Sequence, residues 1–388
     1  MGRTAAARAL SRHADPSRHR YDVRVAGVAD DEQVRRLLRE HSLPGEVVLT
    51  LEREPDSAIA SAIEGDVHQT LIACEPGHGG IVGIASRAER EVFLNGQTMR
   101  LGYLGQLRVD VRGHRVATLL DEGFHFCRTL HEKGRVSAYL TAIVEDNHSA
   151  RRLLSGLRSP AAPHFVRAGT LVTLAIPRPR YQARPRHPSI EVRQGSAELL
   201  HDIVACLERN GRRYQFTPRW TVDDLVSQRR TPGLEPSDFI VAIAGGKVVG
   251  CVATWDQRGF KQVIVRGYSQ RLARWRRLVN LAGPMIGVPA LPPIGRALEF
   301  VYLSHVAVDD DRPEVLAALV SEARARLAPD VRYMVTAFSE HSPLLATISR
   351  LALHRSYRSV LYLACWPDGR RLVESIDGRL PHPEVAIL

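Results

Sequence analysis

A short polar loop, Arg112-Gly-His-Arg115, separates two segments of different periodicity. Residues 103–110 alternate as in a β-strand, and the residues after 116 repeat as in an amphipathic helix. The N–H groups of such a loop lie unpaired at the positive end of the helix dipole, which suits a pyrophosphate. Arg115 fits this loop only if its backbone avoids positive φ, and its guanidinium could itself contact phosphate.

The segment around this loop resembles the cofactor signature of the GNAT (GCN5-related N-acetyltransferase) superfamily. In that family a strand is followed by Arg/Gln-x-x-Gly-x-Gly/Ala and a helix, a pattern that fits Arg112, Gly113, Val116 and Ala117. The family usually has glycine at the place of Arg115, and the loop of this chain is two residues shorter.

A second segment is also similar to this family. Residues 139–144 form a predicted strand that leads to Glu145-Asp-Asn147 and Ala150, as in the family's second cofactor motif. The resemblance covers roughly residues 21–176 and places Asn147 near the cofactor. Asn147 is equally well explained as the N-cap of the following helix, and the two interpretations are compatible.

The resemblance implies acetyl-CoA, or another acyl-CoA, as a co-substrate and an amine or amino-acid-like molecule as the acceptor. The strand would pair with the pantetheine arm through its main chain, and the loop amides would bind the pyrophosphate. The implied cofactor-binding residues are Leu107, Arg108, Val109, Arg112, Gly113, His114, Arg115, Val116, Ala117, Asn147 and Ala150.

Acyl transfer to an amine needs a proton acceptor and stabilisation of an oxyanion. Many family members carry a carboxylate on the central strand and a tyrosine on the following helix. Here the inward-facing candidates are Tyr103 and Gln106, and Leu154 or its neighbours stand at the place of the tyrosine. Glu145 is the nearest carboxylate, with a solvated loop acid as the simpler interpretation. A water chain could also serve as the base.

The order of elements repeats along the chain. Val23-Arg24 corresponds to Val192-Arg193, Gly79-Gly80 to Gly245-Gly246, residues 103–110 to 302–309, and His148-Ser149 to His341-Ser342. These matches predict two tandem copies with an insertion at 268–297 in the second copy.

The second copy has a different loop. Asp309-Asp-Asp-Arg-Pro313 places three acids where a diphosphate needs positive potential, and Glu340 stands where the first copy has Asn147. We therefore expect a degenerate second copy without cofactor. His305, on its central strand, is either a site residue or a buried core histidine.

The predicted fold class is α+β with α/β/α layers: two tandem GNAT folds, each a mixed, mostly antiparallel sheet with a splayed central strand pair and flanking helices. Residues 1–20 are predicted to be a disordered basic tail, and 21–176 the acyl-CoA-binding domain. A Pro/Arg-rich linker over 177–188 precedes the second domain, 189–388.

Composition restricts the remaining functions. The five cysteines form no close pair, so neither a disulfide framework nor a metal site is expected, and no segment resembles a signal peptide or a membrane span. We expect a cytoplasmic protein, with a homo-oligomer possible and no stable membrane insertion. The net charge of +11 favours anionic partners, although a solvated basic surface explains it better than nucleic-acid binding does.

The insertion holds a basic, helix-like segment. Leu272, Trp275, Leu278 and Leu281 follow a helical spacing, and the arginines are predicted to lie opposite them. Such a helix binds a membrane surface, acts as a lid, or packs on the domain with a solvated arginine face, and the last is the commoner outcome.

Three functions are compatible with these features. The leading hypothesis is an acyl-CoA-dependent N-acyltransferase, with acetyl as the expected acyl group. The alternatives are an aminoacyl-tRNA-dependent transferase, which tandem GNAT folds also resemble, and a sensor that binds acyl-CoA without turnover.

Overall fold

The computed structural model describes residues 21–77, 79–110, 116–148, 150–152, 159–179, 189–283 and 290–388. The predicted tail, loop residues 112–115, Ser149, Leu154 and most of the predicted linker lie outside these residues.

The strands are, in chain order, β1 (Asp22–Val25), β2 (Val47–Glu52), β3 (Val67–Cys74), β4 (Ile81–Leu94), β5 (Gln97–Val109), β6 (Tyr139–Val144), β7 (His164–Pro177), β8 (Glu191–Gln194), β9 (Thr217–Pro218), β10 (Phe239–Ala244), β11 (Lys247–Trp255), β12 (Gln262–Tyr268), β13 (Phe300–Val308), β14 (Tyr333–Ser339) and β15 (Arg355–Cys365).

The helices are α1 (Asp31–Glu40), α2 (Ser57–Ala62), α3 (Val116–Glu132), α4 (Leu200–Gly211), α5 (Val222–Val226), α6 (Gln270–Ala282), α7 (Pro313–Arg326), α8 (Pro343–Leu351) and α9 (Arg370–Glu374).

One continuous sheet runs through both halves of the described chain, in the order β1-β3-β4-β5-β6-β15-β7-β14-β13-β11-β10-β8, and β9 pairs with β4. The order is symmetric about its centre, with β1 corresponding to β8, β5 to β13 and β6 to β14. In each half the pairs are antiparallel except β5 with β6 and β13 with β14. The predicted mixed, mostly antiparallel sheets are therefore confirmed.

The two halves exchange their last strands. β7, from the first half, pairs with β14 over Leu171–Pro177, and β15, from the second half, pairs with β6 over residues 359–364. The same two strands also pair with each other along the middle of the sheet. Neither half therefore completes its sheet with its own chain.

Helices cover both faces of the sheet because its strands bury alternate side chains on opposite sides. In β3, Ile72 and Cys74 pack with α1, whereas Leu71 and Ala73 lie in the clusters that contain residues of α3. The second half repeats this arrangement, with α4 on one face of β10 and α7 and α8 on the other. This confirms the predicted α/β/α layers.

A separate antiparallel ribbon joins the halves. β2 pairs with β12, from Glu52 opposite Gln262 to Val47 opposite Tyr268. The predicted insertion thus begins at the end of β12 and continues directly into α6.

Candidate active site

The central strands of the first half separate after a short contact. β5 and β6 pair only at Gly102 with Tyr139 and at Tyr103 with Leu140. Beyond this point β5 continues to Val109 along β4, and β6 continues along β15. The edge of β5 that faces away from β4 therefore has no partner strand among the described residues beyond Tyr103, and it lines a cleft. This agrees with the predicted splayed pair of central strands.

A backbone irregularity marks the same place in both halves. Gln106 has φ 53° beside a register shift between β4 and β5, and His305 has φ 52° beside a shift between β11 and β13. Residues other than glycine rarely adopt this left-handed conformation, and the surrounding fold must enforce it. The two positions are 199 residues apart, which is the spacing that the sequence repeat predicts for this strand.

The predicted catalytic residues occupy two different places. Tyr103 lies at the closed end of the splay, and Gln106 lies three residues further along β5. Glu145 follows β6 at the open end, where its Oε2 accepts from Arg358 Nε at 2.8 Å. Five residues of strand separate it from Leu140, the partner of Tyr103, or about 16 Å. Glu145 thus lies apart from Tyr103.

Tyr103 and Gln106 differ in chemistry. Burial raises the pKa of Tyr103 well above its usual range, so its side chain stays a neutral phenol at physiological pH. The guanidinium carbon of Arg90 lies 5.8 Å from its ring centroid. The buried Oε1 of Gln106 has no hydrogen-bond partner among the described residues. Neither side chain is therefore a proton acceptor of ordinary strength at neutral pH.

The predicted cofactor residues follow the splay in order. Leu107, Arg108 and Val109 end β5, and burial together with the charge of Arg53 lowers the pKa of Arg108. Val116 and Ala117 begin α3, a helix of 17 residues that starts just beyond the cleft. Arg112, Gly113, His114 and Arg115, between them, lie outside the described residues.

Asn147 acts as a cap in this structure. Its Oδ1 accepts from the N–H of Ala150 at 3.1 Å, as its N-cap interpretation predicts. The side chain is partly exposed at the open end of β6.

Sequence reasoning did not find a group of buried and half-buried cations beside Tyr103. This cationic cluster consists of Arg53, Arg90 and Lys261. Lys261 Nζ donates to the main-chain oxygens of Ala386 at 3.0 Å and Leu388 at 3.4 Å. Burial, reinforced by the charge of Arg53, lowers its pKa to about 8, and burial with the charge of Arg230 lowers that of Arg90 to about 10.

Three acids partly compensate the positive charge of the cationic cluster: Glu64 and Glu384 raise the pKa of Lys261, and Asp66 raises that of Arg90. Arg53 forms an ion pair with buried Glu64, whose second oxygen has no hydrogen-bond partner among the described residues. The members come from separate elements and share no spacing in the sequence, so no local signal marks them. The cluster favours anions and neutral amines over ammonium ions.

The chain is similar to known proteins in structure but not in sequence. No protein-family model and no curated protein matches the sequence. A tandem GNAT protein from the clavulanic acid biosynthesis pathway matches with a TM-score of 0.54 at 11% identity, over 90% of this chain and 99% of that chain.

Two further structures match over most of the chain. Saccharomyces cerevisiae N-myristoyltransferase with bound myristoyl-CoA matches with a TM-score of 0.54 at 11% identity, over 89% of this chain and 82% of that one. A GCN5-related N-acetyltransferase from Anabaena variabilis matches with a TM-score of 0.50 at 9% identity, over 89% and 72%. The chain has a tandem GNAT fold.

The second GNAT copy has its cleft filled by the chain itself. Residues Val385–Ile387 contact both β13 and β14, and the N–H of His305 donates to Glu384 Oε2 at 2.7 Å. A cavity of about 20 Å³ remains beside His305 and His382, which is room for one water molecule. In the first GNAT copy, no side chain among the described residues accepts from the corresponding N–H of Gln106.

His305 is a core histidine of the second GNAT copy. The rings of Trp220, Phe239 and Trp255 lie 4.5 to 5.8 Å from it, and burial lowers its pKa to about 3. Its Nδ1 lies 2.9 Å from Ser304 Oγ. Of the two interpretations, this geometry favours the buried one.

The acidic loop of the second GNAT copy is bound by its own chain. Asp309 receives two hydrogen bonds from Arg209 at 2.9 Å and one from Asn210 at 2.8 Å, and Asp311 receives one from Arg213 at 2.6 Å. Carboxylates thus stand at the place that corresponds to the first copy's predicted phosphate-binding loop.

Neither a metal site nor a membrane-spanning helix is present in the described ranges. No group of three His, Cys, Asp or Glu side chains there is arranged to hold a metal ion. None of the helices in that part of the chain has the length and apolar character needed to cross a bilayer.

Proposed function

We propose that this chain is an acyl-CoA-dependent N-acyltransferase whose first GNAT copy binds one acyl-CoA and whose second copy binds none. The observation that carries the proposal is the contrast between the clefts: that of the first copy is lined by an unpaired strand edge, and that of the second is filled by Val385–Ile387. The solved structures support the fold, and two of them are named for N-acyl transfer.

The cofactor would bind along β5. Arg108 and Val109 pair with β4 on one side, so the main-chain groups of this segment on the other side face the cleft. An amide-containing pantetheine arm can pair there as an additional strand would. Its pyrophosphate would then meet residues 112–117 at the N-terminus of α3.

The bulge at Gln106 would polarise the thioester. In the second copy the equivalent N–H, that of His305, already donates to a carboxylate oxygen of Glu384. By the internal symmetry, the N–H of Gln106 would donate to the thioester carbonyl oxygen and stabilise the oxyanion that forms during attack.

The cationic cluster would act on the acceptor. Positive potential in a buried site lowers the pKa of an amine and delivers it in the neutral, nucleophilic form. The amine nitrogen then attacks the carbonyl carbon, the C–S bond breaks, and CoA leaves as a thiolate. The proton of the amine passes to the neutral fraction of Lys261, which grows as the pH rises through 8, or to water, and the phenol of Tyr103 donates a hydrogen bond at the reacting centre.

Titration calorimetry with acetyl-CoA and longer acyl-CoAs tests the binding step. We expect one molecule bound per chain and an affinity about tenfold lower for Arg112→Gln, which removes a charged phosphate ligand. Arg312→Gln, in the corresponding loop of the second copy, is the matched control and should leave the affinity unchanged. Two molecules bound per chain, or none of any chain length, would contradict the proposal.

Thiol release with a panel of amines tests the reaction. We expect release of CoA that depends on the amine. Stoichiometric binding of acyl-CoA without release in the presence of any amine would favour the sensor alternative.

A further inference from the structure

Helix α6 lies on the surface with none of its 13 residues buried. Trp275, Leu278 and Leu281 are 58%, 54% and 74% exposed. Three large apolar side chains so close together on the outside of a helix are unusual for a surface that meets only water.

The opposite side of α6 holds the helix to the protein. Arg276 donates to the main-chain oxygen of Pro292 at 2.9 Å and stacks on Tyr268, and the amide of Asn280 forms two hydrogen bonds with the main chain of Leu291. These contacts fix which side of the helix faces outward.

Arginines lie among the exposed apolar residues. At 3.6 residues per turn, Arg271, Arg274, Leu278 and Leu281 are placed opposite Arg276 and Asn280, with Trp275 and Arg277 at the borders. The arginines therefore do not lie opposite the apolar stripe, as the sequence spacing predicted, but share its exposed side. Arg271, Arg274 and Arg277 form no ion pair within the described residues, and the helix contains no acid.

We infer that α6 docks the protein on the surface of an anionic phospholipid membrane. Tryptophan and leucine side chains enter the boundary between headgroups and acyl chains, while arginines pair with lipid phosphates. RNA would satisfy the arginines but leave Leu278 and Leu281 exposed. This inference stands independently of the proposed acyl transfer and needs no membrane-spanning segment.

The tryptophans of this chain provide a direct readout. Trp220, Trp255 and Trp366 are buried, at 4%, 0% and 3% exposure, so that a change in fluorescence on docking reports Trp275. With vesicles of phosphatidylglycerol and phosphatidylcholine we expect co-sedimentation and a blue shift that weaken as salt is added. Pure phosphatidylcholine should give far weaker binding. Trp275→Phe should retain co-sedimentation and lose the blue shift.

Two groups of substitutions separate the contributions. Arg271→Gln, Arg274→Gln and Arg277→Gln together should weaken binding roughly 100-fold, about fivefold for each arginine. The control is a second triple substitution, Arg229→Gln, Arg350→Gln and Arg355→Gln, which removes the same charge from exposed positions elsewhere. It should change the affinity for vesicles by less than about twofold per arginine.

Leu278→Ser with Leu281→Ser tests the apolar contribution and should abolish the blue shift on the full-length protein. Because all these positions are exposed, the circular dichroism spectrum should not change.

Three outcomes would each overturn the inference. They are equal binding to neutral and anionic vesicles, equal losses of binding in the two arginine triples, and binding of RNA but not of vesicles.

Discussion

At the scale of single residues, the same backbone bulge has two different environments. His305 and Gln106 share a left-handed conformation on equivalent strands. The N–H of His305 donates to Glu384, whereas no side chain among the described residues accepts from that of Gln106. Neither Gln106 nor His305 supplies a proton acceptor. We therefore expect the activity of each copy to depend on what surrounds the bulge and not on the type of residue at it.

The lowered pKa of Lys261 is the clearest effect of burial on a single residue. Its pKa is lowered to about 8 in the folded state, against about 10.4 in an unfolded chain. Between these pH values the unfolded state binds more protons, so the free energy of unfolding rises with pH by roughly 2–3 kcal/mol. We expect the difference in stability between the wild type and Lys261→Met to grow by this amount in urea denaturation between pH 7.5 and 10.5, since all other groups titrate in both proteins.

Lys247→Met, at an exposed lysine on β11, is the control and should preserve the rise. A difference in stability between the wild type and Lys261→Met that stays constant over this range would show that Lys261 is solvated, and it would remove the physical basis for its role as a proton acceptor.

At the scale of elements, the cleft depends on a tight junction at its closed end. Gly102 lies directly under the ring of Tyr139, where an added Cβ would overlap the ring carbons. Tyr139 cannot move aside easily, because its hydroxyl lies 3.1 Å from Arg87 Nε and 3.3 Å from His131 Nδ1, and Trp366 packs against its ring. This junction fixes where β5 and β6 begin to diverge.

Gly102→Ala should therefore lower the free energy of unfolding by about 3 kcal/mol, since the junction has no room to relax. Gly123→Ala, in the middle of α3 where no atom lies within 4 Å of the new methyl group, should instead raise it by about 0.5–1 kcal/mol. Chemical denaturation measures both. A Gly102→Ala protein of unchanged stability would mean that the junction is looser than described.

At the scale of the whole molecule, the exchange of β7 and β15 makes the two halves one folding unit. Without β15, residues 21–179 would leave β6 and β7 as unpaired edges, and without β7, residues 189–388 would leave β14 unpaired. Unpaired edges promote aggregation.

We expect each half expressed alone to be insoluble or to lack cooperative unfolding. The two fragments expressed together should assemble into one complex that, like the intact chain, melts in a single calorimetric transition. Two separately soluble fragments, each with its own sharp transition, would contradict this expectation.

The sequence by itself determined the local elements and the repeat. The pair Asn95-Gly96 joins β4 to β5, with φ of 51° and 76°, because an Asn-Gly pair adopts these angles readily. The spacing of 199 residues between equivalent strand positions also proved correct at Gln106 and His305. Both are encoded by residues close together in the chain or by direct repetition.

Only the tertiary structure decided which strands pair and what fills each cleft. Strands β7 and β15 have the same kind of alternating sequence, so no local pattern predicts that each one completes the sheet of the other half. Arg53, Arg90 and Lys261 are brought together from positions up to 208 residues apart. Hydrogen-bond partners in a sheet and the desolvation of a charge both depend on groups remote in sequence. For that reason the sequence could predict a phosphate-binding loop, but neither the cationic cluster nor the occupied second cleft.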